Sequence, residues 1–225
     1  MEAHRSAMKD AFHFVCRPNP WKRRLLAPRP ATTSSIAFTF DDGPDATETP
    51  RILNLLKERG IRATFFLLGK CIAGNEAIVQ RMLEEGHTLG NHSFTHPQFL
   101  MWDFRSPYRE LAECQGAIEA ACGHSPEVAR PPFGKCTPGF RLAAARLRLK
   151  VQLWSLDSGD WQCRSQADAE RCAKELRSAL CPGDTILFHD NHRWIVPILE
   201  TFFSELDTQT TSVGASSLTL QALKN

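Results

Sequence analysis

The chain has 225 residues, 42% of them hydrophobic and 23% charged, a balance that lets one globular domain bury a sizeable core. A formal net charge of +2 and a pI near 8.2 create no broad basic field, so composition gives no support to a nucleic-acid partner. No run of about 18 apolar residues exists to form a transmembrane helix, and Ala11 to Cys16, interrupted by His13, is too short for a signal-peptide core, so a cytoplasmic protein is expected.

Residues 1–34 form a basic, proline-containing arm with no clean period. Residues 1–35 hold seven Lys and Arg against Glu2 and Asp10, a net of +5 that leaves about −3 for the remainder. The eight cysteines show no Cys-x-x-Cys pair and no zinc-finger spacing, and free thiols are expected.

A regular alternation of strand and helix begins at Ser35. Ile36 to Phe40 is rich in strand formers and runs into Asp41-Asp42-Gly43-Pro44-Asp45, two adjacent carboxylates and a turn. Those acids either cap the next helix or carry chemistry. Neighbours on a strand point to opposite faces, which suggests one metal ligand and one base. Thr49 and Pro50 predict a helix start, and Gly60 its end. Arg62 to Leu68 is an apolar run suited to a strand covered on both faces.

Asn75 opens a helix closed by Gly86, and His87 to Gly90 is a short strand delivering Asn91-His92-Ser93-Phe94-Thr95-His96. Ser106-Pro107 begins a helix to about Cys122, stopped by Gly123, and Val128 to Arg130 is a strand followed by Pro131-Pro132-Phe133-Gly134. Thr137-Pro138 starts a helix reaching toward Leu149. Val151 to Leu156 is a single predicted strand ending at Asp157-Ser158-Gly159-Asp160-Trp161. Ser165 opens a helix to about Leu180, the strand Thr185 to Phe188 ends at His189-Asp190, and a last helix spans Trp194 to Leu206. The domain is placed at 35–207, with a Ser/Thr-rich tail over 208–225.

Strands separated by helices of this length imply parallel crossovers. With six to seven strands, the first expectation is an α/β fold of distorted, incomplete (β/α)-barrel type, and the second an open doubly wound sheet. In both, the C-terminal strand ends form the rim where active sites sit. Asp41/Asp42, His92/His96, Arg130, Asp160 and His189 all follow predicted strands directly.

On a helical turn, His92 and His96 would lie side by side. With Asp42 they make a His₂-carboxylate set that leaves coordination positions open, as catalytic zinc sites do; Fe(II) would also suit it. Arg130, stiffened by two prolines, is placed to keep Asp41 ionised and oriented. His189 is either a core histidine satisfied by Asp190 or a general acid tuned by Asp160 or Asp157. Trp161 either packs or stacks on a sugar face. His4, His13, His87, His124 and His192 are assigned no function.

In this order the motifs Thr39-Phe40-Asp41-Asp42-Gly43-Pro44, His92-Ser93-Phe94-Thr95-His96, Arg130-Pro131-Pro132-Phe133-Gly134, Asp157-Ser158-Gly159-Asp160-Trp161 and Ile186-Leu187-Phe188-His189-Asp190 resemble those of the polysaccharide deacetylases, the NodB-homology domains of carbohydrate esterase family four. The resemblance implies metal-dependent hydrolysis of the N-acetyl group of a GlcNAc-containing oligo- or polysaccharide. It implies Asp41 as base, Asp42, His92 and His96 as ligands, and His189 as the acid. Arg130 would orient Asp41, Asp160 would tune His189, and the Phe133 backbone N–H would face the oxyanion. Leu187 and Trp161 would hold the acetyl methyl. The implied metal is zinc, with Co2+, Fe2+ and Ni2+ as alternatives. The family commonly has tyrosine where this chain has Phe133, a change that keeps the backbone contact. The alternatives carried forward are an amidohydrolase of the same fold on a non-sugar amide, and a non-catalytic glycan-binding module.

Overall fold

A computed structural model describes residues 35–212, with side chains to Asp207. The basic arm expected over 1–34 and the segment beyond Ser212 lie outside the described residues. The elements run β1 Ala37–Asp41, α1 Glu48–Glu58, β2 Thr64–Leu67, α2 Glu76–Glu84, β3 Thr88–Asn91, α3 Ser106–Cys122, β4 Val128–Ala129, α4 Pro138–Arg146, β5 Lys150–Val151, β6 Leu156–Asp157, α5 Gln166–Ala179, β7 Thr185–His189 and α6 Ile195–Ser212. The seven strands form one sheet in the order β5-β4-β3-β2-β1-β7-β6, and every pairing is parallel. This is the distorted, incomplete barrel expected from the alternation, a sheet curled around its own inner face.

The expected strand Val151 to Leu156 is corrected to two. β5 pairs with β4 at one end of the sheet and β6 with β7 at the other. Between them Gln152 N–H donates to Ala129 O and Ser155 N–H to Thr185 O, at 2.9 and 3.0 Å, so the chain steps from one open edge to the other. Five residue steps reach at most about 18 Å, which bounds the gap in the barrel wall.

Strand periodicity divides β1 cleanly. Phe38 and Phe40 face the helices and join Phe65, Phe188, Phe202 and Phe203 in a buried aromatic cluster. Thr39 and Asp41 face inward, where register places Leu187 and His189 of β7 beside them. Inward space is tight at Gly90, where a Cβ would approach the Phe66 ring to 2.4 Å.

Several caps differ in detail from expectation. Helix α1 starts at Glu48 rather than after Thr49, because the Asp45 carboxylate accepts the N–H groups of Thr47 and Glu48 at 2.8 and 2.7 Å. Ser165 and Thr137 cap α5 and α4 as predicted, and Gly123 ends α3 in the left-handed conformation at φ 69°. α4 stops at Arg146, while α6 continues to Ser212, past residue 208. The expectation of free thiols holds for Cys71, Cys114, Cys122, Cys136, Cys163 and Cys172, but Cys181 is disulfide-bonded. No helix among the described residues is long and apolar enough to cross a membrane.

Candidate active site

All ten residues singled out from the sequence gather at the C-terminal rim of the strands. Asp41, Asp42, His92, His96, Phe133, Trp161, Leu187 and His189 line one cleft of about 340 Å³, and Arg130 and Asp160 stand behind it. Gly134, Trp154 and Asp157 complete the lining.

The His92-x-x-x-His96 pair is corrected from a helical turn to an irregular loop. Ser93 and His96 have φ of 74° and 63°, a region disfavoured for side-chain-bearing residues. Side chains hold the loop in that shape. Asn91 Oδ1 accepts the Ser93 N–H, and Ser93 Oγ accepts the His96 N–H. Glu110, buried on α3, accepts the N–H groups of Phe94 and Thr95 and the Thr95 hydroxyl, at 3.0, 2.7 and 2.9 Å. Glu110 was not singled out in the sequence, because a glutamate within a helix resembles any solvated one.

Asp42 also has a left-handed backbone, φ 75°. It therefore departs from the strand alternation that separates neighbours, and both acids reach one histidine. His92 Nε2 lies 3.6 Å from Asp41 Oδ2 and 3.5 Å from Asp42 Oδ1. Their different partners divide their roles. Asp42 Oδ1 is also 3.5 Å from His96 Nε2 and has no hydrogen-bond partner although buried. His92 Nδ1 lies 2.8 Å from the Arg130 carbonyl oxygen, to which only an N–H can bond, so Nε2 presents its lone pair. Burial, with His96 and Arg130 adding to it, overcomes the pull of Asp42 and lowers the His92 pKa to about 3, keeping the ring neutral.

One donor atom from each of Asp42, His92 and His96 lies within 4.8 Å of the others. Bonds of ~2.1 Å to a tetrahedral ion place ligand atoms about 3.4 Å apart. An orphaned carboxylate oxygen facing two imidazole nitrogens at that spacing fits a divalent metal.

Asp41 is only 3% exposed, and Arg130 is fully enclosed. Arg130 Nη1 donates to Asp41 Oδ1 at 2.7 Å and to Thr39 Oγ1 at 2.8 Å, while Nε and Nη2 donate to the carbonyls of Gln152 and Leu153, both at 3.2 Å. Its guanidinium lies 4.0 Å from the Phe66 ring centroid. The crossing segment between β5 and β6 thus locks the arginine that orients Asp41. Arg130 lies against Asp41 as expected and favours its ionised form, but it does not hold the Asp41 pKa down. Burial raises the pKa above the usual 3.8 despite the opposing charges of Arg130, His189 and His96.

His189 is bound by Asp160, not by Asp190. Nδ1 lies 2.9 Å from Asp160 Oδ1, and the His189 backbone N–H donates to Asp160 Oδ2 at 2.6 Å. Asp160 is enclosed and also accepts the Trp161 N–H. Burial would raise its pKa, but His189 and the hydrogen bonds outweigh that and lower it. Burial likewise opposes the charge on His189; Asp160, Asp41 and Asp42 overcome it and push the pKa up to about 10. Asp157, the other candidate partner, accepts the Gly159 N–H instead.

Phe133 has φ 58°, packs edge-on against His96 with centroids 4.5 Å apart, and is 53% exposed. Trp161 is 51% exposed across the cleft lining, and Leu187 is buried at its floor. Cys136 turns away, packing with the cluster around Phe99 and Phe140. Trp154 was hidden in the sequence within what looked like one strand.

The family model for polysaccharide deacetylase matches residues 29–152. A peptidoglycan-N-acetylglucosamine deacetylase of Listeria monocytogenes is 35% identical over 182 residues, which are 81% of this chain and 38% of that protein. The chain thus spans well under half the length of that relative. A chitooligosaccharide deacetylase of Bradyrhizobium is 32% identical over 71% of this chain and 72% of its own length. Among solved structures, a polysaccharide deacetylase from Bacillus cereus superposes with a TM-score of 0.74 at 31% identity, covering 85% of this chain and 92% of that one. The family model covers more than half of the chain, and a relative above 30% identity is matched over more than two thirds of its own length, so the chain belongs to the polysaccharide deacetylase family.

Proposed function

We propose that the protein hydrolyses the N-acetyl amide of a GlcNAc-containing oligo- or polysaccharide, with Asp42, His92 and His96 holding a divalent metal. The carrying observation is that one cleft contains a buried carboxylate and a cationic imidazole on register-paired residues, Asp41 and His189. Asp41, anchored by Arg130, accepts the proton of the attacking water. The raised pKa makes it a stronger base than an ordinary aspartate. The hydroxyl oxygen bonds to the acetyl carbonyl carbon, the C–N bond breaks, and His189 gives its proton to the departing amine. Acetate and a free amino sugar result. The Phe133 backbone N–H is assigned to the charge developing on the carbonyl oxygen, a contribution often worth several kcal/mol. The metal, when bound, supplies Lewis acidity to that carbonyl and to water. Zinc is the proposed ion, because two imidazoles and one carboxylate with an open position suit it.

The proposed substrate class draws on the relatives' named activities and on the shape of the rim. A second cleft of about 300 Å³, lined by Pro44, Asp45, Leu68, Lys70, Cys71 and Asn191, shares Asp42 and His96 with the first. Room on both sides of the triad supports a substrate longer than one sugar. Leu187, Phe133 and Trp161 are the apolar surfaces assigned to the acetyl group and pyranose face.

Asp41→Asn is expected to retain bound metal and lose roughly 10³-fold in kcat for acetate release from GlcNAc oligomers. Release at the parent rate would overturn the base assignment. A parent protein that hydrolyses another amide but no acetylated sugar would replace the substrate class and leave the site intact.

A further inference from the structure

Asp190 follows the acid His189, yet no step above uses it. Its side chain is fully enclosed. It lies beneath Asp41–Asp45, the segment that supplies both base and ligand, and holds that segment at two places directly and at a third through Thr49. The Asp190 backbone N–H donates to the Asp41 carbonyl oxygen at 3.2 Å. Its Oδ2 accepts the Thr49 hydroxyl at 2.7 Å, and Thr49 Oγ1 in turn accepts the Asp45 N–H at 2.8 Å. In the middle, a Cβ on Gly43 would sit 2.1 and 2.2 Å from the two Asp190 oxygens, so the Gly43 backbone rests directly on the carboxyl group. Gly43 is not in the left-handed region. The three atoms nearest to a Cβ there all belong to the Asp190 carboxyl group.

These contacts bracket Asp42. Its left-handed backbone is disfavoured for a residue with a side chain and persists only where the surroundings impose it. Asp190 grips the residue on each side of it. The other carboxyl oxygen, Oδ1, is buried without a hydrogen-bond partner, an arrangement that stability alone does not favour.

We propose that Asp190 is a positioning residue of the metal site: its carboxyl is the support on which Asp41–Asp45 is bent, and it aims Asp42 at His92 and His96. The inference rests on the reading of Asp42 as a ligand. Asp190 touches neither metal nor substrate and acts through Gly43, Thr49 and the Asp41 backbone.

The test is Zn2+ affinity of the full chain, measured by competition with a chromogenic chelator, with thermal melting as the control for folding. Asp190→Ala is expected to weaken Zn2+ binding 10- to 100-fold. Asp190→Asn, which preserves shape and an acceptor for Thr49, should stay within a few-fold of the parent. Gly43→Ala should weaken binding at least tenfold by forcing the segment off its support. In the double variant Gly43→Ala/Asp190→Ala the clash is gone, so its loss should not exceed that of Asp190→Ala alone. If Asp190→Ala does not fold, Thr49→Val reports on the same support and should weaken binding several-fold. Parent-like affinity in these variants would overturn the inference, as would additive losses in the double variant or equal losses for Asn and Ala. Failure of the parent itself to bind divalent metal would instead overturn the reading of the triad.

Discussion

Strand β3 is four residues long, and a histidine stands just beyond each end. Both are enclosed, His87 at 4% exposure and His92 at 2%, and burial lowers the pKa of both, to about 4 and about 3. Their hydrogen bonds are opposite. His87 Nδ1 accepts the Ala63 N–H at 3.0 Å, so its ring proton is on Nε2, and it packs edge-on against Phe65. His92 Nδ1 bonds a carbonyl oxygen, so its Nε2 is bare and faces Asp41 and Asp42. The same side chain is a backbone clamp at the N-terminal end and, in the proposed site, a metal ligand at the C-terminal end. Strand β7 repeats the pattern in carboxylates. Asp184, before it, receives the Ser155 hydroxyl and the Cys181 N–H on separate oxygens, whereas Asp190, after it, keeps one oxygen unpartnered. In a parallel sheet all strands point the same way, so the residues that follow them share one rim.

The largest test of this contrast exchanges each β3 histidine for alanine. His92→Ala is expected to weaken divalent-metal binding by more than about 10²-fold and abolish acetate release. His87→Ala should leave metal affinity unchanged and cost about 1–3 kcal/mol of stability, because the buried Ala63 N–H loses its acceptor. Chelator competition and denaturant unfolding on both variants separate the outcomes. A loss of metal affinity in His87→Ala would break the division between the ends.

A smaller effect is expected at the acid. Asp160 favours the cationic form of His189, and with His189 as the proposed acid the alkaline limb of kcat in the parent is expected near the His189 value of about 10. Asp160→Asn removes the stabilising charge, lowers the His189 pKa, and leaves less of the acid protonated at a given alkaline pH. The alkaline limb should move to lower pH and kcat at neutrality should fall roughly 10²-fold. A pH–rate profile decides it. An unmoved limb would detach Asp160 from the acid.

The rim was legible in the sequence for a physical reason. Each reactive residue follows a β-prone run directly, and a parallel sheet allows only one place for such residues to meet. What escaped detection depends on contacts distant in sequence. Val151 to Leu156 has uniform strand propensity, so nothing in it reveals that its halves pair at opposite edges of the sheet. Asp42, Ser93, His96 and Phe133 take left-handed backbones without being glycine, and composition carries no signal for that. Glu110 and Asp190 matter through the loops they hold, and those contacts exist only after folding. Thr49 looked like a cap because Asp45, the true one, lies in a motif already claimed for chemistry.

The finest test isolates His87 by its titration. An unfolded histidine takes up its proton near pH 6.5, whereas folded His87 does so only near 4. Between those values the unfolded state binds more protons, so stability rises with pH and is lost as pH falls from about 6.5 toward 4. The full difference corresponds to about 3 kcal/mol. Other groups, His92 included, titrate in the same window, so the parent curve alone does not assign the loss. His87→Asn offers Ala63 an amide oxygen and does not titrate, and subtracting its stability from the parent's at each pH cancels those groups. The parent's advantage should shrink as pH falls from about 7 toward 4 and level off only below that. Parallel curves in denaturant unfolding would show that His87 is not held neutral, and the distinction between the two ends of β3 would then rest on metal affinity alone.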